Sequence, residues 1–146
     1  QNKFETRDFA KFHPGGRLGK SLFLTVGEMI KSKKPPFLSL NDPLKNIINE
    51  ITSKMQGVTA VLEKDRVVGI ITDGDIRRML EQNKSYENIK ASDIMSKDPK
   101  YLEFDTLAVE AAKMMNDKKI NQIIILKNND YVGIVHVLDL IKEGIN

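Results

Sequence analysis

Two stretches of this sequence read alike: Ala60 to Ile76 is AVLEKDRVVGIITDGDI, and Ile124 to Leu140 is IILKNNDYVGIVHVLDL. Superposing residue 60 on residue 124, a shift of 64 positions, also places Gly69 on Gly133 and Asp75 on Asp139. The agreement continues upstream of both stretches without a gap. An internal repeat of this length indicates that each copy is one supersecondary unit that needs its neighbour in order to bury its apolar face.

Each copy predicts the same order of elements, β-α-β-β-α. A short extended segment leads into a helix whose apolar residues recur at i, i+3, i+4 and i+7. These residues are Leu44, Ile47, Ile48 and Ile51 in the first copy and Ala108, Ala111, Ala112 and Met115 in the second. Two β-branched runs then predict a hairpin, with its turn at Lys64-Asp65 or at Asn128-Asn129, and a second helix closes the unit.

The repeat defines the fold class and the boundaries that we expect. A single copy has few apolar positions and an open sheet face, so two copies should pack together with pseudo-twofold symmetry. The prediction is an α+β (mixed α/β) protein with an N-terminal tail and linker over 1–25, one unit over 26–86 and a second over 87–146. Patterning alone does not show whether this duplication serves a ligand or only assembly.

Composition excludes several classes of function. The 146 residues include no cysteine, which removes disulfides and thiolate metal sites, and we expect neither a metal nor a cofactor. A net charge of +3 with interspersed signs, and no binding motif, argues against nucleic acid. No apolar run approaches the ~20 residues of a membrane helix. We therefore expect a cytoplasmic protein, and interpret the basic stretch Lys31 to Lys34 as a solvated linker rather than part of an anion site.

The strand-to-helix junction at Thr72 and Asp75 carries the clearest chemistry. A hydroxyl at the end of a strand and the first free amides of the next helix converge on a spot that suits a phosphate. The carboxylate can accept hydrogen bonds from two neighbouring ribose hydroxyls, so the combination points to a nucleotide. The alternative is purely structural, with Thr72 as an N-cap and Asp75 as a first-turn acid.

The stretch GIITDGDI, residues 69–76, resembles the signature of CBS domains, and the doubled β-α-β-β-α unit agrees with that family over about Val26 to Ile141. The resemblance implies a paired CBS fold that binds a nucleotide-type effector. It assigns the effector to Thr72, Asp75 and the neighbouring Asp73. It also implies that the base is lined by residues near the first strands, namely Phe37, Leu38, Val58 and Thr59.

The second copy departs from that signature. It reads GIVHVLD, so Asp139 is kept while His136 replaces the hydroxyl residue. A histidine here could bind phosphate when protonated, respond to pH, or cap the helix. We favour the cap, and expect the second site to be degenerate or only to complete the first.

The segment DFAKFHPGGRLGK, residues 8–20, is similar to the end of the isomerase domain in the arabinose 5-phosphate isomerases of Kdo and capsule biosynthesis. The resemblance implies that His13, presented on a Pro-Gly-Gly turn, is an acid/base residue for the conversion of ribulose 5-phosphate to arabinose 5-phosphate. The phosphate loop and acidic base of such a site are not in the sequence. We therefore expect this chain to be an inactive part of a longer enzyme, preceded by the isomerase domain.

Three functions follow as hypotheses. The first is a regulatory pair that binds a nucleotide or nucleotide-sugar effector, such as CMP-Kdo or an adenine nucleotide, and biases the isomerase domain. The second is an assembly module that binds no ligand and holds subunits together, as a dimer of pairs in a tetrameric parent. The third, an isomerase in its own right, is the one that we do not expect.

Overall fold

The computed structural model describes residues 22–54, 56–82 and 85–145, and contains the two predicted units. The first comprises α1 (Val26–Ile30), β1 (Phe37–Ser39), α2 (Leu44–Lys54), β2 (Val58–Glu63), β3 (Arg66–Thr72) and α3 (Asp73–Gln82). The second comprises α4 (Ala91–Ile94), β4 (Tyr101–Glu103), α5 (Ala108–Lys118), β5 (Gln122–Lys127), β6 (Asp130–His136) and α6 (Val137–Lys142). Within these ranges no helix is both long and apolar enough to cross a membrane.

Each unit contains a three-stranded sheet of the same topology. The orders are β1-β2-β3 and β4-β5-β6, with a parallel outer pair and an antiparallel hairpin. Both hairpin turns place two consecutive non-glycine residues at positive φ, Lys64 and Asp65 at 51° and 66° and Asn128 and Asn129 at 52° and 71°. That pair of angles is typical of a type I′ turn, which matches the twist of the flanking strands. The predicted hairpins are thus confirmed, including the one with the less favourable turn residues.

Three apolar clusters hold the units and join them. One lies in the first unit around Ile47, Val61 and Ile71, and another lies in the second around Ala111, Ile125 and Val135. The third consists of β-strand residues of both units: Val58, Ala60, Ile70, Ile124 and Ile134. Because these residues are nearly inaccessible to solvent, the predicted packing of one sheet against the other is confirmed.

The short helix that leads each unit packs on the other unit. The amide of Gly27 in α1 donates to the carbonyl oxygen of Phe104 at 2.8 Å, and the amide of Ala91 in α4 donates to that of Asp42 at 2.9 Å. A glycine makes room for each crossing: a Cβ on Gly69 would lie 2.8 Å from the carbonyl oxygen of Ser96. The sequence did not predict that the leading helix of each unit packs on the other unit. The unit boundaries at 25/26 and 86/87 stay predictions.

Candidate functional site in two corners between the units

The junction of β3 and α3, called here the first corner, is built on reciprocal hydrogen bonds between Thr72 and Asp75. The Thr72 amide donates to Asp75 Oδ2 at 2.9 Å, and the Thr72 hydroxyl donates to the same oxygen at 3.2 Å. The Asp75 amide in turn lies 3.4 Å from the Thr72 hydroxyl oxygen. This arrangement is a capping box, which satisfies backbone amides at the start of the helix and fixes the carboxylate at its N-terminus.

The other oxygen of Asp75 faces the linker between the two units. Asp75 Oδ1 accepts a hydrogen bond from the Ser96 hydroxyl at 2.8 Å and forms an ion pair with Arg78, one turn along the same helix. Asp75 is only 6% exposed, whereas the Arg78 side chain is 60% exposed. An exposed guanidinium is rehydrated at little cost, so a ligand hydroxyl can replace it on this oxygen.

The first cleft is the cavity of about 260 Å³ beside this corner. Thr72 and Asp75 form one wall, and the opposite wall comes from the linker over residues 96–100 and from Ile120, Gln122 and Ile124 of the second unit. Its charged lining consists of two acids and two bases, Asp75, Asp98, Lys97 and Lys100. The cleft therefore combines a fixed carboxylate, apolar strand residues and balanced charge.

The second corner is the junction of β6 and α6 and repeats the backbone arrangement of the first. The His136 amide donates to Asp139 Oδ2 at 2.8 Å, and His136 Nδ1 accepts from the Leu138 amide at 3.1 Å. Nδ1 is therefore unprotonated in this hydrogen-bond network. Burial lowers the pKa of His136 below its ordinary value, Asp139 opposes this by raising it, and Lys33 adds to the lowering. The histidine caps its helix as a neutral imidazole.

The remaining oxygen of Asp139 is held from outside its own unit. Asp139 Oδ1 accepts from Lys33 Nζ at 2.5 Å and from Gln56 Nε2 at 2.7 Å. The second cleft, of about 440 Å³, opens beside this contact and is lined by Lys33, Lys34 and Lys142, with Gln56, Ile134 and the linker prolines among its other residues. The stretch Lys31 to Lys34 is exposed, as expected of a solvated linker, but Lys33 also forms this ion pair, which the sequence did not predict.

The other predicted site residues are divided between surface and core. Leu38 is buried in the first unit's own cluster, and Val58 lies in the cluster that the units share. Thr59 is fully buried, whereas Phe37 is exposed. None of these four residues is among those that line the first cleft in the described part of the chain.

Asp73 faces a different hollow from Thr72 and Asp75. It is exposed and lines a hollow of about 430 Å³ together with His136, Gly57 and Gln56. His13 lies outside the described residues. The assignment of all these residues to a ligand stays a prediction.

Sequence reasoning missed the residues that hold the two carboxylates, namely Ser96, Arg78, Lys33 and Gln56. The contact of Arg78 could have been predicted, because Arg78 follows Asp75 at the i, i+3 spacing on one helix. The other three come from segments that are remote in sequence, so only the packing of the units reveals them. The described residues contain no group of three or more His, Asp or Glu side chains that could hold a metal ion.

The family profile of the CBS domain matches residues 26–82 and 91–146, which is most of the chain. The chain therefore belongs to the CBS domain family, as a pair of CBS domains.

Two curated relatives are arabinose 5-phosphate isomerases. KpsF from Escherichia coli is 35% identical over 141 residues, and KdsD from Francisella tularensis is 36% identical over 141 residues. In both cases the match covers 95% of this chain and 43% of the relative, so the chain spans less than half the length of these enzymes. The resemblance to this isomerase family is confirmed for the part of the enzymes that the chain matches.

Solved structures show the same fold. A protein with CBS domains from Burkholderia ambifaria superposes with a TM-score of 0.74 at 24% identity, covering 83% of this chain and 93% of its own. A CBS domain protein from Pyrobaculum aerophilum, complexed with AMP, has a TM-score of 0.70 at 20% identity, covering 80% and 90%. The α+β fold of two paired CBS units is thus confirmed.

Proposed function

We propose that this CBS pair is the regulatory part of an arabinose 5-phosphate isomerase and binds a nucleotide-type effector in the first cleft. The observation that carries the proposal is the carboxylate of Asp75, which is buried, fixed by its capping box, and faces a cleft between the units. Such a carboxylate is a preorganised acceptor for two ribose hydroxyls. Thr72, Lys97 and Lys100 line the same cleft and supply a hydroxyl and two ammonium groups for a phosphate.

The relatives support the class of parent enzyme, and the solved structures support the class of effector. The names of the matched enzymes describe isomerases of a sugar phosphate, arabinose 5-phosphate. One solved structure of the same fold is complexed with AMP. The effector of this chain is an adenine nucleotide or CMP-Kdo, the nucleotide sugar that the Kdo pathway of the isomerase family suggests. Binding biases the attached isomerase domain through a coupling free energy between the two sites.

The test is thermal melting of the 146-residue chain with AMP, ATP, CMP and CMP-Kdo. A ligand bound only by the folded protein at one hundred times its dissociation constant adds ~2.7 kcal/mol, which raises the midpoint by about 5 to 10 °C for a chain of this size. The shift should disappear in the Thr72→Ala, Asp75→Asn variant. The matched control is Asp139→Asn at the second corner, which should keep the shift for an effector of the first cleft.

An unchanged shift in the Thr72→Ala, Asp75→Asn variant would remove the first cleft from the proposal. Absence of a shift for all four nucleotides would favour the second candidate below. The chain alone should convert no ribulose 5-phosphate, and turnover by purified chain would contradict the regulatory assignment.

A second candidate, the assembly module, is favoured by an apolar surface on the second unit. Leu138 and Ile141 on α6 are about half exposed, and Ile141 lines a cavity of about 780 Å³ between α5 and α6. Exposed apolar side chains around a groove are typical of interaction surfaces. Light scattering on the chain and on the Leu138→Glu, Ile141→Glu variant tests this candidate, since a homo-oligomer held by this surface should dissociate in the variant.

A further inference from the structure

The cavity between α5 and α6, called here the helical groove, has a volume of about 780 Å³. It shares one lining residue, Ile120, with the first cleft and none with the second. Its floor is apolar and belongs to the core of the second unit, through the buried residues Met115, Leu140 and Ile145 and the partly buried Val109, Ala112 and Val137. A volume of this order is typical of pockets that enclose an organic ligand. The groove therefore has the size and the floor of a ligand site, apart from the proposed nucleotide site.

The groove exists because the second unit has smaller and less polar side chains than the first at equivalent positions. The 64-residue shift places Ala112 on Ile48 and Ile141 on Arg77. Ala112 leaves room where an isoleucine would project, and Ile141 puts an apolar side chain where the first unit has a charge. Both units have the same sheet topology. These side chains, rather than the fold, thus give the second unit its apolar groove.

The two ends of the groove differ in polarity. The Val137 amide donates to the Asn121 carbonyl oxygen at 2.8 Å, so the carboxyl-terminal end of α5 meets the start of α6. Lys119 and Asn121 line the groove at this junction, whereas Val109 and Ala112 line it in the first turns of α5. A polar, cationic end joined to an apolar end matches a ligand that has a head group and a tail.

Two lysines give the groove its charge, and no acid in its described lining offsets them. Lys113 forms an ion pair with Asp117 at 3.0 Å, and both side chains are more than half exposed, so another anion can replace Asp117 at little cost. Lys119 ends α5 in the left-handed conformation, at φ 57° and ψ 44°, where glycine is the usual residue. Because Lys118 already supplies a cation to the last turn, capping alone does not account for a lysine at residue 119.

We propose that the helical groove binds a fatty carboxylate, that is, an unbranched apolar chain that ends in one anion. The carboxylate lies between the ammonium groups of Lys113 and Lys119, which donate charge-assisted hydrogen bonds to it. The chain extends past Ala112 toward Val109 and displaces water from the apolar floor. A neutral chain of the same length gains the same burial but offers the lysines no anion. The proposal is independent of nucleotide binding in the first cleft, and it assigns a ligand to the surface that the assembly candidate assigns to a second copy of the chain.

The test is ¹⁵N NMR titration of the 146-residue chain with decanoate, octanoate and 1-decanol, at concentrations where none of them aggregates. The backbone amides of Ala112, Asn121 and Leu140 report the groove, and those of Gly69 and Ile70 report the first cleft. We expect decanoate to shift only the groove amides and to bind about tenfold more tightly than octanoate, because two additional CH₂ groups are buried. The neutral 1-decanol should bind about tenfold more weakly than decanoate.

Three variants locate the ligand. Ala112→Ile places the side chain of the first unit in the groove and should weaken decanoate binding about tenfold. Lys119→Gly supplies the preferred helix cap, so it should raise the melting midpoint while it weakens decanoate binding about tenfold. A lysine with only a structural role would not give this combination. The matched control is Lys118→Met, because Lys118 is the neighbouring lysine and does not line the groove, and it should leave the affinity for decanoate unchanged.

Several results would overturn the proposal. These are equal affinities for decanoate and 1-decanol, decanoate binding that is unchanged in Ala112→Ile, and amide shifts that spread over both units. If Ala112→Ile fails to fold, unchanged binding in Lys119→Gly decides against the proposal instead. If decanoate leaves the groove amides unshifted and light scattering shows a dimer that Ala112→Ile dissociates, a second copy occupies the groove and the proposal is also overturned. Nucleotide binding at Gly69 and Ile70 is measured separately, so none of these results bears on the proposed function of the first cleft.

Discussion

The two corners share one backbone arrangement and differ in how the free carboxylate oxygen is held. In each, an aspartate at the third helical position accepts a hydrogen bond from the amide of the residue that caps the helix. Asp75 Oδ1 then binds Arg78 on its own helix and Ser96 of the second unit, whereas Asp139 Oδ1 binds Lys33 and Gln56, both of the first unit. The local cap is common to both copies, while contacts between the units distinguish them. One repeated motif can therefore hold its carboxylate partly through its own helix in one copy and through the other unit in the second.

The largest expected effect separates the two aspartates. Asp139→Ala removes the cap bond and leaves Lys33 and Gln56 without their shared acceptor, so the free energy of unfolding should fall by about 3 kcal/mol. Asp75→Ala should cost about 2 kcal/mol, because the exposed Arg78 is readily rehydrated. Urea denaturation of both variants measures the difference. Equal losses would show that the crossing contacts of Asp139 add no stability.

Loss of the hydroxyl cap is the next effect in size. Thr72→Ala removes the side chain that accepts from the Asp75 amide and donates to its carboxylate, and should cost about 1 kcal/mol. Thr72→Ser keeps the hydroxyl and should retain most of the stability. The stabilities of the two variants are compared by their urea midpoints at neutral pH. An equal loss of stability in both variants would contradict a capping role for the hydroxyl.

The pH dependence should be confined to the second corner, since only there is the cap a histidine. Its pKa is lower in the folded protein than the ordinary value near 6.5, so below about pH 6.5 the unfolded chain takes up the proton first. The contribution of His136 to stability is complete above that pH and decreases as the pH falls toward the folded-state pKa. His136→Thr copies the residue of the first corner and should lose less stability between pH 7.5 and 5.5 than the original chain.

This difference can be measured by urea denaturation at both pH values. Asp139 and Lys33, the charged groups that act on the imidazole, are present in both proteins, so subtracting the two profiles isolates the histidine. Parallel profiles would mean that protonation of His136 leaves the cap intact.

The smallest expected effect concerns the hairpin turns. Lys64 adopts a φ of 51° in the turn where the second unit has Asn128 at 52°. Asparagine tolerates the left-handed region better than lysine, so Lys64→Asn should stabilise the chain by roughly 0.5 kcal/mol. A rise of one or two degrees in the melting midpoint would agree, and Asn128→Lys should lower the midpoint by a similar amount. A fall in the first variant would contradict the symmetry of the turns.

The sequence was sufficient for the fold because the repeat and its periodicities are local. The helix pattern from Leu44 to Ile51, the two hairpins and the strand-to-helix corners depend on neighbours within a few residues, and all appear as predicted. The surface on which each leading helix packs could not be predicted from such local patterns. Ile30 and Met95 both suit an apolar groove, and only the assembled pair shows that Ile30 lies against Gly133 and Met95 against Gly69.

For the candidate site, too, the sequence predicted the local features and not the contacts between the units. Thr72 and Asp75 were identified because hydroxyl and carboxylate stand at a fixed spacing on one junction. The partners of Asp139 were not, since Lys33 and Gln56 are 106 and 83 residues away along the chain. The resemblance to CBS domains implied that Phe37, Leu38, Val58 and Thr59 line the base of the effector. The structure instead lines the first cleft with residues of the linker and of the second copy.

The packing of each leading helix on the other unit also affects the order in which the chain folds during its synthesis. The five residues of α1 are too few to form a stable helix alone, and their packing surface on β6 is translated only after the whole first unit. The first unit likewise lacks its covering helix until α4 is made. Each CBS unit thus becomes complete only when the ribosome has supplied part of the other, and the pair should reach its final structure as its last strand is released.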